Sequence, residues 1–465
     1  MGSTRDGNVL HAVAKFQLKS ENTNILVNTI LDEDCMKVIT YHGNIQSISN
    51  TAWACATLGV DCPSLFKAIN EKAPFLAENG NSQAIANTAL ACATLGVKCP
   101  SLFKAINVNA SFLAENGKPQ DISNTAWACA TLGVECPSLF KAINKKASFL
   151  VENGSPQAIA NTAWACATLV VECPSLFKAI NEKAPFLAEN GNSQDIANTA
   201  WACATLGVEC PSLFKAINEK ASFLVENGSP QDIANTAWAI SHFGWQSNAF
   251  FRVISSNMDS IVTSGDVQCI ANLCYAFAIM GCASKYEIEF RCLWSHAIEI
   301  KIEDLNNEAC WQLLQAFFMV SQTMSMAQPK TLLLKSDRFL KGTETVSSRT
   351  QQEMSDLLTK LGFVHEIEVS PFPDLSGFLA IDVACKDRMI AIEFDGPSHF
   401  LREINEDQPQ RRKENGPTRA KRRLLERLGW SVINVCYWEW QEAGTKERKE
   451  QLLAKKFSLC GMNVT

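Results

Sequence analysis

The ten residues Asn124-Thr-Ala-Trp-Ala-Cys-Ala-Thr-Leu-Gly133 recur almost unchanged from Asn50, Asn87, Asn161 and Asn198, each start 37 residues after the last. A shortened copy opens at Asn235, and a weaker echo, Asn272-Leu-Cys-Tyr-Ala-Phe-Ala, follows after another 37. A fixed period of this size restricts a chain to stacked helical units, because one unit alone cannot bury its apolar face. Pro119 suits a helix start. Ile122, Ala126, Cys129 and Leu132 share one face at helical spacing, and Gly133 suits a helix end.

A second helix opens at Cys136-Pro137, with Leu139, Ile143 and Leu150 as its apolar stripe. It closes at Asn153-Gly154, which reads as a left-handed cap pair repeated at Asn79-Gly80, Asn116-Gly117, Asn190-Gly191 and Asn227-Gly228. Ser148 of this copy is Pro74 and Pro185 in two others. Proline inside a helix costs about 3 kcal/mol, so this helix is expected to break or kink there.

The expected fold is mainly α: an α-solenoid of 37-residue helical hairpins, then a small α/β domain. Residues 1–45 read as N-terminal capping helices, 46–245 as regular repeats and 246–325 as degenerate ones echoed at Tyr275, Phe277, Trp311 and Phe317. Residues 326–350 read as linker, and 351–465 as a separate domain. In it, His365–Ser370, Phe378–Cys385, Met389–Asp395 and Ser431–Cys436 read as strands, and Gln351–Leu361, Pro417–Leu428 and Lys446–Lys456 as helices. Its middle strands are apolar enough to be covered on both faces.

A chain of 465 residues is too long for one core. Net charge of -6 argues against coating nucleic acid by overall charge and leaves room for a local basic patch. No run of about 18 apolar residues spans a membrane. Ten of the 19 cysteines form repeated pairs such as Cys129 and Cys136. Seven-residue spacing without a recurring histidine is not a zinc pattern, so they read as small hydrophobes in a reducing compartment. Met1-Gly-Ser-Thr-Arg-Asp6 begins like a myristoylation signal, but Asp6 stands where Ser or Thr is needed. Val9–Phe16, flanked by Arg5, Lys15 and Lys19, is weakly like a transit peptide; no clear one is present.

Ile390-Ala-Ile-Glu-Phe-Asp-Gly-Pro-Ser-His-Phe400, then Thr418-Arg-Ala-Lys-Arg-Arg-Leu-Leu-Glu-Arg-Leu-Gly-Trp-Ser-Val-Ile433 and Tyr437-Trp-Glu-Trp440, resemble the RAP domain. That family is named for RNA-binding proteins abundant in apicomplexans. The repeats resemble the octotricopeptide, heptatricopeptide and FAST-kinase-like units that precede RAP domains in organellar proteins. The resemblance implies RNA binding in the maturation, stability or translation of organellar transcripts. The expected partner is single-stranded RNA, an organellar rRNA or mRNA, with other RNA-processing proteins beside it. The expected place is the mitochondrial matrix, with the chloroplast stroma as alternative. Binding needs no cofactor.

Asp382, Glu393 and Asp395 fall at adjacent strand ends, where three carboxylates repel unless protonated or bridged by a cation. They are candidate ligands for a divalent metal. RAP domains resemble restriction-endonuclease-like folds, whose nucleases carry Asp and then Glu-x-Lys. Glu393-Phe-Asp395 lacks that lysine, while His399 is available. A metal-dependent endoribonuclease using Mg²⁺ is therefore one alternative. The competing reading has Glu393 and Asp395 bonded to amides of the Gly396-Pro397 turn.

The basic residues Arg411, Arg412, Lys413, Arg419, Lys421, Arg422, Arg423 and Arg427 are candidates for phosphate contact. Between Lys386 and Lys456 there are 16 Lys and Arg against 12 Asp and Glu. Tyr437, Trp438 and Trp440 are candidates for base stacking, and Trp430 reads as core.

In the array, Trp53, Trp127, Trp164, Trp201 and Trp238 are flanked by alanines and read as core. Candidate base readers are Asn50, Asn87, Asn124, Asn161, Asn198 and Asn235, with a variable site one turn earlier at Ser47, Ala84, Asp121, Ala158, Asp195 and Asp232. Near-identical units should prefer near-identical bases, in a low-complexity site of about five to seven nucleotides. The second alternative is a protein scaffold, which the array's acidic balance favours.

Overall fold

The computed structural model describes residues 2–16, 43–333, 349–372, 377–402 and 412–461, with isolated positions 27, 29, 30, 39, 335 and 375. Much of the 326–350 linker lies outside the described residues. The chain forms two compact units, Met1–Leu206 with Cys210–Ile217, and Gly207–Glu209 with Asn218–Thr465.

The first unit is a stack of near-identical repeats. Its first helices are Ile45–Leu58, Ser82–Thr94, Pro119–Leu132, Pro156–Thr168 and Ser193–Leu206, each packed on the next. Alanine and cysteine at the contact let the backbones approach closely, and Ala52, Ala89, Ala126 and Ala163 are wholly buried. The repeated threonine lies in this contact too. Thr125 and its equivalents donate to the carbonyl four residues back, so the buried hydroxyl is satisfied.

The second helix is split in every repeat. Pro137–Lys145 and Ala147–Asn153 are separate helices, as are their equivalents. Ser111 and Ser148 accompany the same break as Pro74 and Pro185. Packing, not proline, therefore sets the break, which buries Ala147, Leu150 and Val151. Proline is tolerated because it falls in the first turn, where an N–H has no partner within the helix. Phe66, Phe103, Phe140 and Phe177 fill the centre of successive repeats.

The Asn-Gly pairs are not left-handed caps, contrary to the sequence reading. Gly154 is extended at φ -82 and ψ 149. Glycine is needed there because a Cβ would overlap the Leu150 carbonyl oxygen. The left-handed cap belongs to the first helix, where Gly133 has φ 64 and Val134 N–H reaches back to the Cys129 carbonyl at 2.8 Å.

Neighbouring repeats are stapled. Asn70 Oδ1 accepts from Ser101 N–H at 2.8 Å, and Asn107 with Ser138, Asn144 with Ser175 and Asn181 with Ser212 repeat the bond. The thiols of Cys99, Cys136, Cys173 and Cys210 donate to the carbonyl of the preceding repeat's buried phenylalanine. The seven-residue cysteine spacing also brings thiols together, with Cys203 and Cys210 at 3.3 Å. All ten repeat cysteines are buried and unbridged.

Helix α1 (Gly2–Lys15) packs along the first repeat helix. Asn50 Nδ2 donates to Asn8 Oδ1 at 3.2 Å, and the His11 ring lies 4.9 Å from Trp53. Asn8-Val-Leu-His11-Ala-Val-Ala is thus a worn copy of Asn50-Thr-Ala-Trp53-Ala-Cys-Ala, a match the sequence held unread.

In the second unit α2 (Pro230–Phe243), α3 (Val267–Met280) and α4 (Asn307–Val320) stack in the same manner. After α5 (Arg349–Lys360) comes a sheet of β1 (Glu366–Val369), β2 (Ile381–Cys385), β3 (Ile390–Asp395) and β4 (Ser431–Cys436) in that order. The first three strands pair antiparallel and β3–β4 parallel, joined by α6 (Gly416–Arg427); α7 (Tyr437–Ala443) and α8 (Lys446–Leu459) follow. Both sheet faces are covered. Val383, Ile392 and Ile433 pack with Phe457 on one side, and Ala384 and Ala391 with Leu425 and Trp430 on the other.

Candidate nucleic-acid interface

The first helices of unit 1 carry no Lys or Arg from Ile45 to Leu206. Their outer ridge is Gln120, Asn124, Trp127 and Thr131 in one repeat and the equivalent four in the others. Gln120 and Thr131 are exposed, and Asn124 and Trp127 half-buried. The tryptophans are therefore not core, contrary to the sequence reading. Trp127 follows Asn124 by three residues and shares its face. The alanines that flank it, one position to either side, are the ones turned inward.

The Trp127 and Trp164 rings stand 6.4 Å apart, tilted by 32°. Leu90 interrupts the aromatic line.

The asparagines divide into engaged and open ones. Asn50 is 9% exposed and tied to Gln46 and Asn8. Asn235 accepts from Gln231 and Asn272, and a polar ladder continues through Gln268 to Gln312. Asn124 accepts from Gln120 at 2.8 Å and keeps its Nδ2 hydrogens. The side-chain amides of Asn87, Asn161 and Asn198, which lie within their helices, make no hydrogen bond among the described residues. The variable site is not a reader. Asp121 and Asp195 lie buried in the first helical turn, accepting from the Lys118 and Asn192 amides, and Asp232 accepts from Ser229 N–H. These are N3 capping roles.

At the sheet, antiparallel pairing of Val383 with Ile392 sets Asp382 opposite Glu393. Asp382 accepts from Gln351 Nε2 and from the Phe394 amide, each at 2.7 Å. Glu393 Oε2 takes Lys421 Nζ at 2.6 Å, while buried Oε1 has no partner. Asp395, 1% exposed, accepts from Asn434 at 2.6 Å and lies 3.2 Å from His399 Nδ1. The three carboxylates do not converge, and no three acidic, His or Cys groups among the described residues are placed to hold a metal. The sequence-derived Mg²⁺ site does not fit this donor set. Lys421, reaching in from α6, neutralises the cluster instead. The basic residue beside Glu393 comes from the crossover helix, whereas Asp395 stands two positions along the strand.

Burial pushes the Glu393 carboxyl up to about 7, Lys421 pulling against it and Asp382 and Asp395 adding to it. Burial alone would lower Lys421, but Glu393, Asp382 and Asp395 outweigh it and raise its pKa. A carboxyl whose folded pKa exceeds its ordinary 4.5 contributes stability that is complete below that value and lost as pH rises through about 7. Amide-exchange protection of β3 is therefore expected to fall from pH 5 to pH 8, by about 3 kcal/mol at 1.36 kcal/mol per unit. Glu393→Gln should flatten that slope. An unchanged slope in the variant would exclude Glu393 as its source.

The basic helix α6 faces inward. Arg419 donates to the Gly244 carbonyl at 2.8 Å and to that of Phe243, and Arg423 donates to the Ile279 carbonyl. Both arginines thus cap the carboxyl ends of α2 and α3, where a cation meets unpaired carbonyls and the negative dipole end. Lys421 is with Glu393, and Arg422 pairs with Glu414. Four of the eight candidate phosphate contacts are hence engaged within unit 2. Lys413 lies over Trp245 and 3.7 Å from Glu209. Arg412 and Arg427 are exposed, and Arg411 lies outside the described residues. Trp430 and Trp440 are 8% and 4% exposed and belong to the core, whereas Tyr437 and Trp438 are half-exposed.

Stacked helical repeats with an aromatic–amide ridge, ending in a small sheet domain, define a helical-repeat protein with a C-terminal α/β module. The module is a RAP domain, matched over residues 392–456. Residues 91–303 match the family described as RNA-editing substrate-binding complex 6 protein. A rice (Oryza sativa subsp. japonica) protein described as "RAP domain-containing protein, chloroplastic" is 29% identical over 121 residues, 26% of this chain and 17% of the relative. Both family matches point to RNA-related work. No described helix alone is long and apolar enough to cross a membrane.

Proposed function

We propose that the protein is an RNA-binding factor of an organelle, acting in processing, stability or translation of its transcripts. Single-stranded RNA lies along the ridge of the first unit. The rice relative's chloroplastic description and the RNA-editing family support an organelle, either mitochondrial matrix or chloroplast stroma.

The carrying observation is the alignment of open amides with tryptophan faces on successive helices. The 6.4 Å between Trp127 and Trp164 is close to two base-stacking steps, about 6.8 Å at 3.4 Å each. A base set between such rings would stack on both, and the neighbouring asparagine can donate to and accept from its edge. The open asparagines Asn87, Asn124, Asn161 and Asn198 are identical, so the site is short and repetitive in base identity. Cleavage is not part of this proposal, because Asp382, Glu393 and Asp395 already have protein partners.

With no cation on the ridge, few counterions are released on binding, and affinity should depend shallowly on salt. Contact with 6–10 phosphates instead loses about 10³–10⁵ in affinity between 50 and 200 mM salt. Selection from a random RNA pool followed by salt titration tests both points. A repetitive enriched motif with a shallow slope is expected. A mixed motif with a steep slope would overturn ridge binding, and no enrichment would hand the repeats to a protein partner.

A further inference from the structure

The carboxyl ends of β3 and β4 lie side by side, since the strands are parallel and pair as far as Asp395 with Cys436. Tyr437 and Trp438 follow β4 directly, and Gly396-Pro397-Ser398-His399 follows β3. The two aromatic rings meet at 5.2 Å and 78°, making a corner rather than a flat patch. Buried Phe400 braces the corner from within, 4.5 Å from Trp438. The exposed Arg412 guanidinium lies over both rings, 5.1 Å from Tyr437 and 5.9 Å from Trp438. It pairs with no carboxylate among the described residues. On the β3 side His399 is held through Nδ1 by buried Asp395, itself fixed by Asn434, and by Thr418. Its side chain is 36% exposed and leaves Nε2 for a ligand.

We propose that this corner is a second RNA subsite, which takes one unpaired nucleotide with its phosphate. Aromatic faces fit any base, the unpaired guanidinium fits a phosphate or stacks on the base, and the fixed imidazole presents Nε2 to a phosphate or ribose hydroxyl. An acidic peptide would use the cation and leave the ring faces idle. The subsite rests on the reading of the chain as an RNA binder and is independent of the ridge. It gives the RAP domain a contact that Arg419, Arg422 and Arg423 of α6, engaged within unit 2, do not supply.

The test uses the full chain and a 5′-phosphorylated trinucleotide carrying 5-iodouracil, too short to span several repeats. Photocrosslinking should map to Tyr437 or Trp438. Trp438→Ala and Arg412→Ala should each weaken trinucleotide binding by about 5- to 100-fold, and Trp438→Phe should restore much of it. Arg412 is exposed, so its variant keeps the test valid if Trp438→Ala disturbs packing on Phe400. Trp127→Ala with Trp164→Ala should weaken longer RNA while leaving the trinucleotide crosslink at Tyr437 or Trp438 in place. Crosslinks confined to the repeat helices, or trinucleotide affinity unchanged in Arg412→Ala, would overturn the subsite and leave ridge binding standing. Failure of every RNA to bind would remove both.

Discussion

Gly416→Ala is expected to destabilise the second unit by about 3 kcal/mol or more, the upper range for overpacking. A Cβ there would overlap the Ser241 carbonyl oxygen and sit 3.1 Å from Ile279 Cγ2. The first obstacle is backbone, so α6 must move as a body. Moving it draws Arg419 and Arg423 off the carbonyls they cap, and each orphaned carbonyl adds its own cost. Gly396→Ala is the control, because nothing lies within 4 Å of its Cβ position. It should change stability by less than about 0.5 kcal/mol. Urea unfolding with limited proteolysis measures both. A Gly416→Ala protein with the parent's midpoint would show that α6 is not seated on α2 and α3.

Trp127→Ala combined with Trp164→Ala is expected to weaken single-stranded RNA binding by about 30-fold to 10⁴-fold, from 1–3 kcal/mol of stacking per base at two rings. Both rings are half-buried on the ridge, so the stability cost should fall below the 3–5 kcal/mol of a fully buried tryptophan. Phe140→Ala is the contrast, since Phe140 is 1% exposed at a repeat centre. It should melt the array without touching the ridge. Anisotropy with fluorescent RNA alongside thermal unfolding separates the two effects. Tryptophan variants that lose folding and affinity in step would return these residues to the core.

The repeat, its two-helix frame and the sheet domain were legible because each rests on local pattern: a 37-residue period, helical spacing, and short apolar runs. What sequence misplaced depends on which face a residue occupies. Alanine neighbours made Trp127 look central, yet they mark only the side of the helix that touches its neighbours. Asp121 looked variable and therefore informative, but Ser, Ala and Asp interchange there because an N3 cap tolerates all three. The α6 arginines looked like a phosphate patch because charge is visible in sequence while its partners, Gly244 and Ile279, are well over 100 residues away. Lys421 looked like a phosphate contact for the same reason, its partner Glu393 lying 28 residues away.

The staples between repeats carry a consequence for how such a chain changes over generations. Asn107 bonds Ser138 and Asn144 bonds Ser175, each 31 residues apart, and the thiol bonds each span 33. Deleting any whole 37-residue stretch inside the first unit therefore joins an asparagine to a serine, and a thiol to a phenylalanine carbonyl, of the same kinds it had before. Deleting 36 or 38 breaks both. Slippage between near-identical coding segments can thus shorten or lengthen the ridge by one step at a time, with the joints intact. If RNA lies along the ridge as proposed, footprint length becomes a trait that can drift in whole steps while the fold stays the same.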